Sequence, residues 1–195
     1  MWEKVNLGDL VKQHGGLIQT GPFGSQLHEA DYSEEGIPVV MPKDIIGGKI
    51  SEESTAKISE DIYRKLKRHA LKVGDVVLPR RGNFNKRSVI TEREKGWLCG
   101  TGCLKISVNP EVLSPHYFAY YLSLSEIVEQ LEKLAVGSTM LNLSAGIVER
   151  FEFPLPPILL QRQIAAVLGR YDELLANYQG QVAALEGLAQ ELYRE

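Results

Sequence analysis

Two cysteines are all that this 195-residue chain contains. Cys99 and Cys103 are separated by Gly-Thr-Gly, with no histidine nearby to complete a ligand set, so neither a zinc site nor a disulfide framework is indicated. Thiols of this kind are expected to be buried and inert. Histidine is equally sparse: His14, His28, His69 and His116 are scattered, which leaves a cysteine nucleophile without a supporting general base. Long apolar runs are missing too, none approaching the roughly 18 residues of a membrane span. Residues 1–6 lack the basic, apolar, then small-residue order of a secretion signal, and the expected location is the cytoplasm. There is no surplus of positive charge either, the formal net charge being −3.

What is present is ordinary in amount and uneven in placement. The 44% hydrophobic and 24% charged content is that of a soluble globular protein, long enough for one domain and an appendage. Between residues 29 and 61 acidic side chains dominate. From 64 to 87 the balance inverts: Arg64, Lys65, Lys67, Arg68, Lys72, Arg80, Arg81, Lys86 and Arg87 face only Asp75. Such a block is the electrostatic footprint of a phosphate-tracking surface, although a solvated helix face followed by a charged loop reads the same way from charge alone.

Spacing sharpens the choice. Arg80-Arg81-Gly82-Asn83-Phe84-Asn85-Lys86-Arg87 lies between two β-like runs, Asp75–Leu78 and Ser88–Thr91, so it reads as a hairpin tip. It combines cations for phosphates or guanine edges, amides that match adenine, and an aromatic ring placed to wedge or stack. Gly82, Asn83 and Asn85 also suit positive φ, so a purely structural turn needs some of the same residues.

The rest of the chain divides at its prolines. Up to about residue 110 it is strand-like, with Ile37–Met41 and Leu104–Val108 as examples and a short helix from Asp61 to Ala70. Ser114-Pro115 predicts a capped helix through Tyr117, Tyr120 and Tyr121, whose rings are expected in the core; a second helix spans Glu126–Ala135. The polar loop 137–144 leads to a helix beginning near Ser144, which serves equally as a capped turn or an anion site. Phe151-Glu152-Phe153 alternates as a strand, and the prolines at 154, 156 and 157 end it.

After the break comes a helix in which Ile164, Leu168, Tyr171, Leu175, Tyr178, Val182, Leu185, Ala189 and Leu192 recur at steps of four and three, a coiled-coil seam that needs a partner. Gly169, Gly180 and Gly187 lie off the seam and weaken a lone helix by about 1 kcal/mol each. The expected fold is α+β: a strand-rich domain at 1–153, a Pro-rich hinge at 154–157, and one long coiled-coil helix at 158–195.

Taken in order, Trp2–Asp9, Gly21-Pro22-Phe23-Gly24-Ser25-Gln26-Leu27, Gly36–Val40, Gly74–Val77, Arg81-Gly82, Gly137-Ser138-Thr139, and Pro154–Pro157 with Gln161–Ala165 make the chain resemble the DNA-specificity subunit of type I restriction-modification systems. The resemblance covers essentially every residue. It implies a target-recognition domain that reads half of a split sequence, and a helix that sets the distance to the other half. It also implies a modification subunit that carries S-adenosylmethionine, with no cofactor in this chain, a restriction (motor-nuclease) subunit, and no catalysis by the specificity subunit itself.

Family members usually carry two recognition domains and two helices, so a single copy of each points to a half-subunit or a fragment, pairing as a homodimer through the helix. Leu160 stands where an acidic residue is usual before Gln161, and Asn85 where a glycine is usual after the Arg-Gly turn. The expected DNA contacts are Arg80, Arg81, Asn83, Asn85, Lys86 and Arg87, flanked by Lys43, Ser25, Ser138, Thr139 and Asn142, with the seam residues Ile164 to Leu192 holding the partner helix. An antiparallel pair of helices predicts an interrupted palindrome on double-stranded DNA. The competing readings are a protein-binding scaffold, which predicts little salt dependence of DNA affinity, and an enzyme built on Cys99 or Cys103.

Overall fold

Capping residues set most helix starts. A computed structural model describes residues 2–135 and 142–193. Asn6 accepts from the Asp9 amide to open α1 (Leu7–Gln13), and Ser59 accepts from Ile62 N to open α2 (Glu60–Leu66). Ser114 accepts from Tyr117 N to open α3 (Pro115–Tyr121), with proline in the first turn where its missing N–H costs nothing. Then follow α4 (Ser125–Leu134), α5 (Ala145–Glu149), capped by Ser144, and α6 (Ile158–Leu192).

The strands are short. They are β1 (Lys4–Asn6), β2 (Leu17–Thr20), β3 (Tyr32–Ser33), β4 (Ile37–Val40), β5 (Ile45–Ile46), β6 (Lys49–Ile50), β7 (Ala56–Ile58), β8 (Val76–Pro79), β9 (Ser88–Val89), β10 (Leu98–Cys99), β11 (Cys103–Ser107) and β12 (Glu152–Pro154). One antiparallel sheet has the order β2-β11-β8-β9; a second, mixed sheet has the order β10-β4-β7-β3, with β10 parallel to β4. Two antiparallel pairs complete the set, β5 with β6 and β1 with β12.

At its centre the first sheet is buried on both faces, which is why β8 reads as a continuous apolar run. Alternation divides its side chains: Val76, Leu78, Leu104 and Ile106 enter the larger core with Leu7, Phe118 and Phe153, while Val77 and Cys103 join Val40, Ile90, Trp97 and Cys99 on the other side. Tyr117 is buried there and stacks on Tyr121, as expected of core aromatics, whereas Tyr120 is only part-buried and turns its hydroxyl to Asp172 of α6. Both cysteines are fully buried, and burial pushes the Cys99 thiol up to about 12 and Cys103 well above its usual range.

The domain closes on itself at the root of the long helix. Residues 4–6 pair with 152–154, so the strand before α6 is tied to the start of the chain. Helix α6 begins after Pro157 with no side-chain cap and no acidic residue in its first turn, as the leucine at 160 implies. Gln161 does the anchoring instead. It is wholly buried; its Oε1 accepts from Ser114 N at 2.9 Å, and its Nε2 donates to Pro156 O at 2.8 Å and Val112 O at 3.1 Å.

Two residues depart from expectation here. Ile164, the first seam residue, packs against the chain's own core, because the first turns of α6 lie along α3. Beyond it the seam is uncovered: Tyr171, Leu175, Tyr178, Val182, Leu185 and Leu192 are all more than half exposed. Asn85 does not take a left-handed conformation, since among the described residues only glycines have positive φ. Gly82, at φ +79°, supplies that turn, and Asn83 Oδ1 accepts from Asn85 N at 2.9 Å to shape the rest.

Candidate nucleic-acid interface

The predicted hairpin forms. β8 and β9 pair antiparallel, Val76 with Val89 and Val77 with Ser88, and residues 80–87 connect them. Phe84 corrects the wedge reading: it is 1% exposed and packed into the larger core, so it pins the tip down instead of presenting a ring to a ligand.

Three of the tip's cations are also held inward. Arg80 is buried, donating from its guanidinium to Asn142 Oδ1 at 3.2 Å and to Leu143 O at 3.4 Å, with its Cζ 5.1 Å from the centre of the Phe23 ring. Burial, and then the neighbouring Arg81 charge, lower its pKa. Arg87 donates from Nε to Ala119 O at 3.0 Å and from a terminal nitrogen to Asn85 O and Asn85 Oδ1; its pKa is lowered by burial and partly restored by Asp172 and Tyr120. Lys86 Nζ donates to Pro42 O at 3.1 Å.

What remains outward is Arg81, Asn83 and Asn85. The Oδ1 acceptors of both asparagines are engaged inside the loop, so the tip offers mainly donors. Donors of this kind suit phosphate oxygens and the acceptor edges of guanine, whereas an adenine match needs a free acceptor beside the donor.

Other loops converge on the same end of the sheet. The Pro42 carbonyl held by Lys86 begins the turn 42–44 that exposes Lys43; Asp44, fully buried, fixes that turn by accepting from Met41 N at 2.8 Å and Ser54 Oγ at 2.6 Å. Phe23 and exposed Ser25 belong to a turn closed by Gln26 N donating to Phe23 O. Asn142 is half-buried, and its backbone bridges to Arg81 while Leu143 N donates to Arg80 O. Ser138 and Thr139 lie outside the described residues.

Sequence reasoning missed the loop that fastens these together. Gly100-Thr101-Gly102 links β10 to β11; Gly102 O accepts from Arg80 N at 2.7 Å, Thr101 Oγ1 donates to Pro22 O at 3.0 Å, and Gly100 N donates to Val40 O at 2.9 Å. A Cβ at Gly21 or Gly100 would collide with the backbone opposite, Gly100 O or Val40 O, so close approach of the loops requires glycine at both. The signal was available in the two glycines flanking Thr101, which the cysteine spacing overshadowed.

Among the described residues no group of three or more His, Cys, Asp or Glu is placed to hold a metal ion, and no helix is long and apolar enough to cross a membrane. The geometry therefore defines a class: a loop-built, cation-bearing surface at one end of a strand-rich domain carried on a helical arm. Residues 1–186 match the family described as type I restriction modification DNA specificity domain, and the chain belongs to that family.

Among its relatives is the type I restriction enzyme MjaIX specificity subunit of Methanocaldococcus jannaschii, 25% identical over 195 residues, covering 99% of this chain and 43% of that protein. The HsdS subunit from Thermoanaerobacter tengcongensis has the same fold, with a TM-score of 0.63 at 20% identity over 90% of this chain and 38% of that one. A chain from a structural study of complex assembly and conformational transition in the type I R-M system gives 0.69 at 20% identity, over 98% of this chain and 43% of that one. This chain thus spans about two-fifths of the length of the specificity subunits it matches.

Proposed function

We propose that this chain reads DNA sequence as the specificity component of a type I restriction-modification assembly, contributing recognition and no catalysis. The observation that carries the reading is the convergence of the 80–87 hairpin with the turns at 22–26, 42–44, 100–102 and 142–143 on one end of the domain. Arg81, Lys43, Asn83, Asn85 and Ser25 are among the outward side chains there and are the proposed DNA contacts. Arg80, Lys86 and Arg87 set the shape of that end and add positive potential behind it. The double-stranded target would be bound through phosphates for register and through groove edges for sequence.

The partners in this reading are a modification subunit, which would bring S-adenosylmethionine, and a restriction subunit, all acting in the cytoplasm. The uncovered part of α6, from Leu168 to Leu192, would pair as a coiled coil with the same helix of a second copy. An antiparallel homodimer of this kind has two-fold symmetry and would read an interrupted palindrome.

Co-purification with the modification subunit, the mass of the assembly, and selection of bound sequences from random duplexes test the reading together. Enrichment of a split sequence, with affinity falling steeply as salt rises, is the expected result. A correctly assembled complex that enriches no sequence overturns it. A monomer at micromolar concentration that still binds one contiguous site removes the homodimer while leaving recognition in place.

A further inference from the structure

Five of the nine cations in the basic block have no part in the hairpin interface. Lys67, Arg68 and Lys72, together with Lys105 and Ser107 of β11 and the backbone of Gly16, line a cleft of about 340 Å³. It lies at the other end of the first sheet. Register pairs Leu17 with Ser107 at the cleft and Thr20 with Leu104 beside the interface loops, three residues or about 10 Å along β2.

The cleft is built from the inside. Lys105 is 2% exposed, with its ammonium donating to Ala70 O at 2.7 Å and Arg68 O at 3.3 Å, so a positive charge is fixed beneath the floor. His69 is also buried; its Nδ1 lies 3.0 Å from Thr20 O, and its Nε2 accepts from Arg68 Nε at 3.0 Å, which holds that guanidinium at the rim. Lys67, Arg68 and Lys72 are exposed and form no ion pair among the described residues. The carboxylate behind the wall, Asp75, is buried and accepts from Ser107 Oγ at 2.6 Å and Lys72 N at 2.9 Å. Four cations against one buried carboxylate, on a chain of net charge −3, make a localised anion trap.

We propose that this cleft binds a phosphate group, contributed either by the DNA backbone outside the sequence-reading end or by a free phosphoanion. The DNA source rests on the function proposed above; the free source does not. Guanidinium and ammonium donors in the lining suit a tetrahedral oxyanion, and the buried ammonium gives the site a charge that solvent screens weakly.

The test uses the full chain carrying Lys67→Ser, Arg68→Ser and Lys72→Ser together. A control carries Lys49→Ser, Arg64→Ser and Lys65→Ser, which remove the same charge outside the cleft. Each protein is titrated with inorganic pyrophosphate, following the rise in Tm, and with duplex DNA over a range of salt. The cleft variant is expected to lose the pyrophosphate-dependent rise, or to flatten the slope of log K against log salt by about two to three, while the control keeps both.

Loss confined to DNA assigns the phosphate to the backbone, and loss confined to pyrophosphate assigns it to a free anion. Equal behaviour of the two variants, or no change in either titration, overturns the proposal. A wild-type chain that binds pyrophosphate but, even when assembled with its modification subunit, no DNA retains the cleft and defeats the function proposed above. DNA binding shared equally by the cleft variant and the control, with the pyrophosphate-dependent rise also unchanged in both, does the reverse.

Discussion

Gln161 links three backbone groups that would otherwise be unpaired where the long helix meets the domain. Truncation to alanine removes one donor pair and one acceptor, and each buried orphan costs about 1–3 kcal/mol. Gln161→Ala is therefore expected to lower unfolding stability by about 3 kcal/mol or more in denaturant titration. His69 supplies a second prediction at this scale. Burial, then the Arg68 charge, bring its pKa down from 6.5 to about 4, so the unfolded chain binds a proton that the folded chain refuses between those values. This contribution is complete above pH 6.5 and is lost as pH falls toward 4. Tm should drop through that window, and a His69→Gln variant should show a shallower drop.

Single residues are also where the sequence was least legible. The types at 80–87 announced a charged turn, but type does not say which way a side chain points. Phe84, Arg80 and Arg87 turn inward because the larger core, the Asn142–Leu143 backbone and α3 lie behind them, and all three surfaces come from residues far along the chain.

Elements were easier to read because their signals are local. Ser114-Pro115 and Ser144 fixed the starts of α3 and α5, and the turn residues between two β-branched runs gave the β8–β9 hairpin. The hairpin's order and its ligand contacts should separate experimentally. Phe84→Ala removes the buried anchor and is expected to cost about 3–5 kcal/mol of stability. Arg81→Ser, at an exposed side chain, should leave Tm within about 1 °C and reduce the salt slope of DNA binding by about one.

The helix α6 offers the opposite sign. Gly180 and Gly187 have open space where a Cβ would go, so alanine at both should raise the stability of the helical arm by up to about 2 kcal/mol, measured by its thermal loss of helicity. The seam pattern predicted one long helix at 158–195, and α6 spans Ile158–Leu192. It did not reveal that Ile164 is claimed by the chain's own domain, since periodicity marks an apolar face without saying what covers it.

For the whole molecule the decisive quantity is the apolar surface left on the distal part of α6. Leu175 is 58% and Leu185 65% exposed. If a second copy covers them, Leu175→Glu with Leu185→Glu should halve the mass seen by sedimentation and leave the fold of the strand-rich domain unchanged. An unaltered mass would mean that the seam holds no second copy. The architecture at this scale, a strand-rich domain and a single long helix, was legible from the proline break and the seam. The way the four small sheets pack was not, because none of their pairings beyond the hairpins is local in sequence.

The root of α6 is held first by Gln161 and the adjacent Arg162, which donates to Pro110 O and Glu111 Oε1, and second, eleven residues beyond Gln161, by Asp172, whose Oδ2 accepts from Tyr120 Oη at 2.5 Å. That second contact joins the helix to α3, the element on which Arg87 of the hairpin also rests. Past it, about 30 Å of helix runs free to Leu192 at ~1.5 Å per residue. Such an arm is a lever: a swing of about 6° at Asp172 moves its tip by ~3 Å, close to the rise of ~3.4 Å between successive base pairs. A tyrosine hydroxyl and a carboxylate thus set an angular tolerance, and loosening them would blur a distance defined far from either group.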